Sequence, residues 1–377
     1  MGLYHGQLDG FKYTAKMNTK LVYVLTSAPE ATYIEQALMS VYSARHYNPN
    51  AHIVLVVDNL TDQLFVEKRA EILDYISEKI VISFDDESMS PMYRSRWLKT
   101  RVRELIQGDF LYIDCDTICC KSLEEADLFE YEIGAVPDNN TLFQNDRYKA
   151  DTCKSVLPIG CDISKEKHYF SSGVIYCKDT LQTHQLFTLW HKYWQEGLKA
   201  QIQIDQPSLA KANIEMEHQI SSIDDVYNYV LYTESPFLVT AAILHITSKP
   251  KISFLFQQKL MSIVREHGLL SWIKDLILHV HTTYLPFDYT IRHSSMRQRI
   301  KWINDIAYSA RIYGKYVDHT YSEWQFKVAI APLVRWLLTM HMYRLAAFLW
   351  LSWRHVIVHR AKPTPPNVCS CGILKKK

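Results

Sequence analysis

The segment FLYIDCDT, residues 110–117, joins a short apolar run to two carboxylates, and the fold prediction starts from it. Phe110 to Ile113 is predicted to be a buried strand. Because side chains at positions i and i+2 of an extended chain point the same way, Asp114 and Asp116 are predicted to share one side of the chain at the strand end. Two such carboxylates suit Mg²⁺ or Mn²⁺, which can bridge and neutralise a diphosphate. A strand-capping Asp followed by a turn Asp is the alternative that this segment alone leaves open.

Short apolar runs and helical patterns alternate on both sides of this segment. The predicted strands are Lys20–Leu25, His52–Val57, Ile80–Ile82, Phe110–Ile113, Glu132–Val136 and Gly173–Cys177. The predicted helices are Tyr33–Arg45, 63–78, Trp97–Ile106 and Leu181–Leu198. This alternation predicts an α/β fold, a mostly parallel sheet flanked by helices, with ligands beyond the carboxyl ends of its strands. Trp190 and Trp194 lie four residues apart on the last helix, so we interpret them as core rather than as a sugar platform.

The length of 377 residues allows two domains, or one large domain with an appendage. Residues 1–19 carry no clear pattern and form an N-terminal extension. Residues 20–255 hold the α/β pattern, and residues 256–377 turn helical. Neither a G-x-G-x-x-G sequence nor a P-loop sequence occurs, which disfavours the common dinucleotide and nucleoside triphosphate cradles. No disulfide framework is expected, since such frameworks are typical of much smaller chains. Cys115, Cys119 and Cys120 fall in or next to an apparent buried strand and are interpreted as reduced core residues.

Charge is distributed unevenly along the chain. Residues 324–377 contain nine Lys and Arg but no Asp or Glu, whereas the first 323 residues carry a net charge of −7. The acidic body argues against a nucleic-acid partner. The basic segment predicts an amphipathic helical region resting on an anionic membrane surface, because Arg335, Arg344 and Arg354 interrupt any spanning stretch. The alternative is a set of helices packed on the body with a basic outer face.

Several segments, taken in chain order, resemble the GT-A glycosyltransferases of family 8, which include glycogenin and bacterial lipopolysaccharide galactosyl- and glucosyltransferases. The resemblance covers about residues 20–250. It is carried by YIDCDT (112–117), AVPD (135–138), YFSSGVI (169–175), DQ (205–206) and ILHITSKP (243–250). The chain departs from the family pattern at Ser171, where Asn is usual, and in the shorter spacing from His245 to Lys249.

The resemblance implies a role for each matching residue. Asp114, Asp116 and His245 would hold the divalent metal, Mn²⁺ or Mg²⁺. The donor nucleotide sugar would be bound by Thr26, Tyr33, Arg96, Lys99, Asp114, Ser172, Gly173 and Lys249. Asp205, Gln206 and Asp138 would act at the transferred sugar. Without the resemblance, a lone His after two apolar residues is equally typical of a core histidine, and Arg96 and Lys99 of a solvated helix face.

The resemblance implies a metal-dependent hexosyltransferase that uses a nucleotide sugar, a UDP-hexose above all, to extend a glycan or glycolipid acceptor. Gln206 is a poor nucleophile because a neutral amide is weakly basic, so retention by front-face departure is favoured. An inverting enzyme would need a carboxylate base, a role open to Asp138 and Asp205. The expected location is cytoplasmic, peripheral on the inner membrane. The alternatives are a sugar nucleotidyltransferase and a non-catalytic, membrane-docked nucleotide-sugar-binding protein.

Overall fold

The computed structural model describes residues 17–230, 241–246 and 258–280, apart from residues 87, 147 and 279. Lys249 lies outside the described residues. The basic segment 324–377, with its predicted membrane contact, lies outside them as well. All six cysteines in the described part of the chain are free thiols, in line with the prediction for the core.

Ten described strands form two sheets. They are β1 (Lys20–Leu25), β2 (Ile53–Asp58), β3 (Glu78–Ile82), β4 (Phe110–Ile113), β5 (Thr117–Cys119), β6 (Ile133–Pro137), β7 (Phe170–Cys177), β8 (Ile220–Ser222), β9 (Tyr229–Val230) and β10 (Ile243–His245). The large sheet has the order β3-β2-β1-β4-β7-β6-β8, and the small sheet has the order β5-β10-β9. Only β7 runs antiparallel to its neighbours in the large sheet, so the predicted α/β fold with a mostly parallel sheet is confirmed.

The described helices cover both faces of the large sheet. They are α1 (Tyr33–Tyr47), α2 (Asn59–Asp62), α3 (Pro91–Thr100), α4 (Val102–Leu105), α5 (Lys149–Val156), α6 (Leu181–Lys199), α7 (Gln206–Glu215), α8 (Gln258–His267) and α9 (Ser271–Leu278). Alternate side chains of β1 enter two separate cores, as period-two alternation requires. Leu21 and Tyr23 pack with α1, α8 and α9, whereas Val22 packs with α3 and α6. Trp190 of α6 is fully buried in the second core, as predicted.

Two helix predictions were wrong in extent. Residues 63–78 do not form one helix, because Glu67 has a φ of 50° and a 3₁₀ helix follows at Glu67–Asp74. The predicted helix from Trp97 to Ile106 is two helices, α3 and α4, separated at Arg101. Helix α3 also begins earlier, at Pro91. The signal was present in the sequence, since the Ser90 hydroxyl accepts from the backbone N–H of Tyr93 and Pro91 suits a first turn.

Helices α8 and α9 pack into the same core as α1. Leu260, Val264 and Ile273 are buried there beside residues of β1 and β2. Arg265 of α8 reaches the buried carboxylate of Glu35 in α1, with Nε 2.9 Å from Oε1. The start of the predicted helical region is thus continuous with the α/β body. Within the described residues, no helix is long and apolar enough to cross a membrane.

Candidate active site

Asp114 and Asp116 follow the end of β4, where the chain leaves the large sheet and enters the small one. The backbone N–H of Asp114 donates to the carbonyl of Gly173 in the neighbouring β7 at 2.8 Å. The hydroxyl of Thr117 donates to the carbonyl of Asp114 at 2.8 Å. These bonds fix the backbone between the two acids, so both carboxylates stand at the carboxyl end of the central strands.

His245 reaches the two acids through the small sheet. Strand β10 pairs antiparallel with β5, and His245 is opposite Thr117. The backbone N–H of Ile246 donates to the carbonyl of Asp116 at 2.8 Å, which continues the pairing past the strand ends. The imidazole Nε2 then lies 3.1 Å from Oδ1 of Asp116.

Asp114, Asp116 and His245 together fit a divalent metal ion. One ligand atom from each can be chosen so that all three lie within 4.8 Å of one another. First-shell bonds of roughly 2.0–2.6 Å allow one ion to touch atoms at such separations. A Cβ on Gly173 would lie 2.4 Å from Cε1 of His245 and 3.2 Å from Oδ2 of Asp114. Glycine is therefore what lets the backbone of β7 approach the cluster. Two carboxylates and an imidazole suit Mn²⁺ and related first-row ions, with Mg²⁺ favoured by the carboxylates alone.

The acid and the imidazole of this cluster stabilise each other's charged forms. Burial raises the pKa of Asp116, but the neighbouring His245 outweighs burial and leaves the pKa below its usual range. Burial lowers the pKa of His245, yet Asp116 outweighs it and the pKa of the imidazole is raised. An ionised carboxylate is a ready metal ligand, whereas the imidazole must release the proton on Nε2 before it can bind an ion.

Lys99 and Arg96 of α3 lie against acids of the site rather than in open solvent. The ammonium of Lys99 donates to both carboxylate oxygens of Asp114, at 3.0 and 3.2 Å, and lies 3.4 Å from Asp205. Nε of Arg96 lies 3.0 Å from Oδ1 of Asp205. Burial raises the pKa of Asp205, but the charges of Lys99 and Arg96 outweigh it and hold the pKa low. Asp205 is thus an ionised, buried carboxylate between two cations.

Gln206, the first residue of α7, joins a second set of polar side chains. Its side chain lowers the pKa of both Asp138, which follows β6, and Tyr169, which precedes β7, against the larger effect of burial. Burial raises the pKa of Asp138, and the neighbouring Asp146 raises it further. The two carboxylates predicted to act at the sugar, Asp138 and Asp205, therefore differ in electrostatic environment.

The remaining candidates are Ser172, Thr26 and Tyr33. Ser172 of β7 accepts from Lys99 at 3.2 Å and so joins the acidic cluster. Thr26, after β1, donates its hydroxyl to the carbonyl of Pro91 at 2.5 Å. Tyr33 begins α1 and is half-exposed, with a ring free to meet a ligand. The structure thus brings Ser172, Lys99 and Arg96 to the acids, whereas Thr26 and Tyr33 line the neighbouring loop after β1.

Sequence reasoning missed two side chains that hold the site. Tyr112 donates its hydroxyl to Oδ1 of Asp114 at 2.5 Å. Asn228 contacts Nδ1 of His245 at 2.9 Å and Ser171 at 2.9 Å. The position of Tyr112, two residues before Asp114 on an extended chain, was a usable signal. Asn228 lies 17 residues before His245 and carried none.

One comparison with known proteins identifies a family. The model described as glycosyl transferase family 8 matches residues 24–252 of the chain. No protein with curated function matched the sequence.

Solved structures of glycosyltransferases are also similar to the chain. The apo form of mouse xyloside xylosyltransferase 1 is 15% identical with a TM-score of 0.42, covering 62% of this chain and 99% of its own. The galactosyltransferase LgtC, in complex with donor and acceptor sugar analogues, is 14% identical with a TM-score of 0.45, covering 73% and 99%. GlyE of Streptococcus pneumoniae is 16% identical with a TM-score of 0.41, covering 72% of this chain and 66% of its own.

Proposed function

Since the chain belongs to glycosyl transferase family 8, whose members take sugar from a nucleotide-sugar donor, we propose that it transfers a hexose from a UDP-sugar. We propose further that the reaction depends on Mn²⁺ or Mg²⁺. The acceptor that we propose is a glycan or glycolipid. The observation that carries the metal dependence is the convergence of Asp114, Asp116 and His245 from two sheets onto one point.

The proposed metal would be held by these three residues and would neutralise charge on the departing diphosphate. Lys99 and Arg96 are proposed to keep the acids of the site ionised and oriented, with Lys249 as a further contact to the donor diphosphate. Thr26 and Tyr33 are proposed to seat the nucleotide beside the loop after β1. Ser172 and Gly173 are proposed to contact the donor sugar.

The environments of the polar groups favour retention of anomeric configuration. Asp205 is paired with two cations and its pKa is held low, so its carboxylate is a weak base and a weak nucleophile. Gln206 is a neutral amide, suited to stabilising positive charge on the sugar rather than to attacking it. We therefore propose front-face departure, with Gln206 and Asp205 as stabilising groups.

Inversion remains the competing stereochemical outcome, and Asp138 is the residue that could support it. Its pKa is raised by burial, so it could accept a proton from an acceptor hydroxyl. A proton NMR spectrum of the first product separates the two outcomes, because the coupling of the new anomeric proton reports its configuration. An inverted product from the wild-type enzyme would overturn the assignment of retention, and its loss in Asp138→Asn would identify Asp138 as the base.

The metal-dependent transfer is tested by a thermal-shift and hydrolysis screen of nucleotide sugars, with and without Mn²⁺. We expect UDP species to raise the melting temperature only when Mn²⁺ is present, and Asp116→Asn to abolish both the shift and the turnover. Asp151→Asn is the matched control, since Asp151 is a well-exposed carboxylate on α5. Turnover in Asp116→Asn equal to that of wild type would refute the site.

Membrane docking is a separate proposal that rests on the charge of residues 324–377 alone. Nine cations without an acid would bind anionic headgroups and hold the enzyme peripherally on the cytoplasmic face of the inner membrane, near a lipid-linked acceptor. Co-sedimentation with vesicles of anionic lipid, compared with zwitterionic vesicles, tests it. Equal binding to both, or none to either, would contradict it.

A further inference from the structure

We propose that Asn228 is a positioning residue, whose side-chain carbonyl holds the His245 imidazole in the tautomer and orientation that turn Nε2 toward Asp116 and the metal. The proposal rests on the metal site described above and adds to it a residue from outside the matched motifs. Asn228 ends the 3₁₀ helix Asp225–Asn228, directly before β9, and it is completely buried.

The amide of Asn228 is fixed at both ends. Its Oδ1 lies 2.9 Å from Nδ1 of His245, and its Nδ2 donates to Oγ of Ser171 at 2.9 Å. The same hydroxyl oxygen accepts from the backbone N–H of Gly173 at 3.3 Å. Because Nδ2 is committed to Ser171, the carbonyl end faces His245. A carbonyl accepts only, so Nδ1 must carry the proton.

The consequence for Nε2 follows from imidazole chemistry. A neutral imidazole has one N–H and one lone pair, and a proton on Nδ1 leaves the lone pair on Nε2. Nε2 is the nitrogen that lies 3.1 Å from Asp116. Asn228 thus presents to the cluster the nitrogen that can bind an ion, and it holds the ring against rotation.

The backbone of Asn228 is itself held in place by the turn that follows β6. Asn140 donates from Nδ2 to the carbonyl of Asn228 at 3.0 Å, and its Oδ1 accepts from the backbone N–H of Val230 at 2.9 Å. Asn140 belongs to the turn that carries Asp138 and adopts a φ of 52°, in the left-handed region that Asn tolerates. The turn after β6 therefore supports the residue that supports His245.

Supporting groups of this kind change metal affinity measurably. Loss of a hydrogen-bond partner of a metal-ligating His costs about 10–100-fold in affinity. Asn228→Leu keeps the size of the side chain and removes the carbonyl, so we expect Mn²⁺ binding weakened by about that factor. Asn228→Asp keeps an acceptor for Nδ1–H and should bind Mn²⁺ close to wild-type affinity.

Mn²⁺ affinity is measured by isothermal titration and by the electron paramagnetic resonance signal of free Mn²⁺, on the full chain. Asn48→Leu is the matched control. Asn48 is also a buried Asn, and its amide bonds the carbonyl of Ala44 and the backbone N–H of Leu123 rather than any residue of the metal cluster. It should lower the melting temperature and leave Mn²⁺ affinity unchanged. Asn228→Leu with wild-type affinity would overturn the proposal.

A measurement on the unaltered protein keeps the proposal testable even if Asn228→Leu does not fold. In metal-free, ¹⁵N-histidine-labelled protein, above the pH at which the ring is charged, His245 should show a protonated Nδ1. A protonated Nε2 would overturn the proposal. Failure of wild type to bind Mn²⁺ would instead remove the metal site itself, and this inference with it.

Discussion

The substitution Gly173→Ala tests the metal site most sharply, because it adds a single methyl group at the point where β7 passes the cluster. The new Cβ would lie 2.4 Å from Cε1 and 2.7 Å from Nδ1 of His245. Ordinary contact between carbon atoms is about 3.5–4.0 Å, so the ring and the strand must separate by roughly 1 Å. His245 cannot simply swing away, because Asn228 and Asp116 hold its two nitrogens.

A displacement of that size is large for metal coordination, where ligand distances are kept to about 0.2 Å. We expect Gly173→Ala to weaken Mn²⁺ binding by at least the roughly 10–100-fold that follows loss of a supporting bond. Overpacking should also lower the free energy of unfolding by about 1–3 kcal/mol. Mn²⁺ titration and urea unfolding separate the two effects.

Gly134→Ala is the control for overpacking alone. A Cβ on Gly134 of β6 would lie 2.6 Å from Cγ2 of Ile223, a clash of similar severity in the same sheet. It should lose comparable stability and keep wild-type Mn²⁺ affinity. If Gly173→Ala binds Mn²⁺ as tightly as Gly134→Ala does, the close approach of β7 to the ligands has no bearing on metal binding, and the reasoning is refuted.

Three further predictions concern charge in the interior. Asp58→Asn breaks a buried ion pair with Arg94, 2.7 Å long, and should lower the free energy of unfolding, measured in urea, by about 3–5 kcal/mol. Asp62→Asn, which breaks the partly exposed pair with Lys79, should lower it by less than about 1 kcal/mol. Burial lowers the pKa of the His191 imidazole, so the contribution of the neutral ring to stability is full above the unfolded-state pKa of about 6.5 and falls as the pH drops toward the lower folded-state pKa. His191→Gln should therefore flatten the acid side of a plot of melting temperature against pH, and an unchanged plot would contradict this. Lys99→Met leaves Asp114 and the buried Asp205 without their ammonium, so the melting temperature should fall and should partly recover with Mn²⁺. A raised KM for the donor with an unchanged melting temperature would show that Lys99 serves the donor alone.

The two acids could be predicted from the sequence, because the pattern that places them is local. A strand ending at Ile113 and an i, i+2 spacing are enough to put Asp114 and Asp116 side by side. His245 was predicted only through the family resemblance. It follows two apolar residues, as core histidines do, and nothing near it in the chain shows that β10 pairs with a segment more than a hundred residues earlier.

The cations show why local reasoning stops short of a site. Lys99 and Arg96 were predicted as contacts of a donor diphosphate, since both lie on the helix that leads to the metal strand. In the structure their charged groups lie against Asp114 and Asp205. Asp205 directly precedes α7, about a hundred residues later in the chain, and only the folded structure brings it near α3. The partner of a buried charge depends on tertiary contacts, so the sequence could identify the cations but could not assign their partners.

The small sheet determines whether the proposed metal site can form. His245 faces the acids only because it is paired with Thr117 in a three-residue ladder. Side chains alternate along a strand, so a slip of one residue would place Leu244 or Ile246 beside Asp116 and turn the imidazole to the other side. Backbone bonds at the two ends of the ladder, from Ile246 N–H to the Asp116 carbonyl and from Cys120 N–H to the Ala242 carbonyl, both 2.8 Å, resist such a slip. The short ladder contributes little of the total core, yet it carries the proposed third ligand, so damage to it should abolish metal binding before it unfolds the protein.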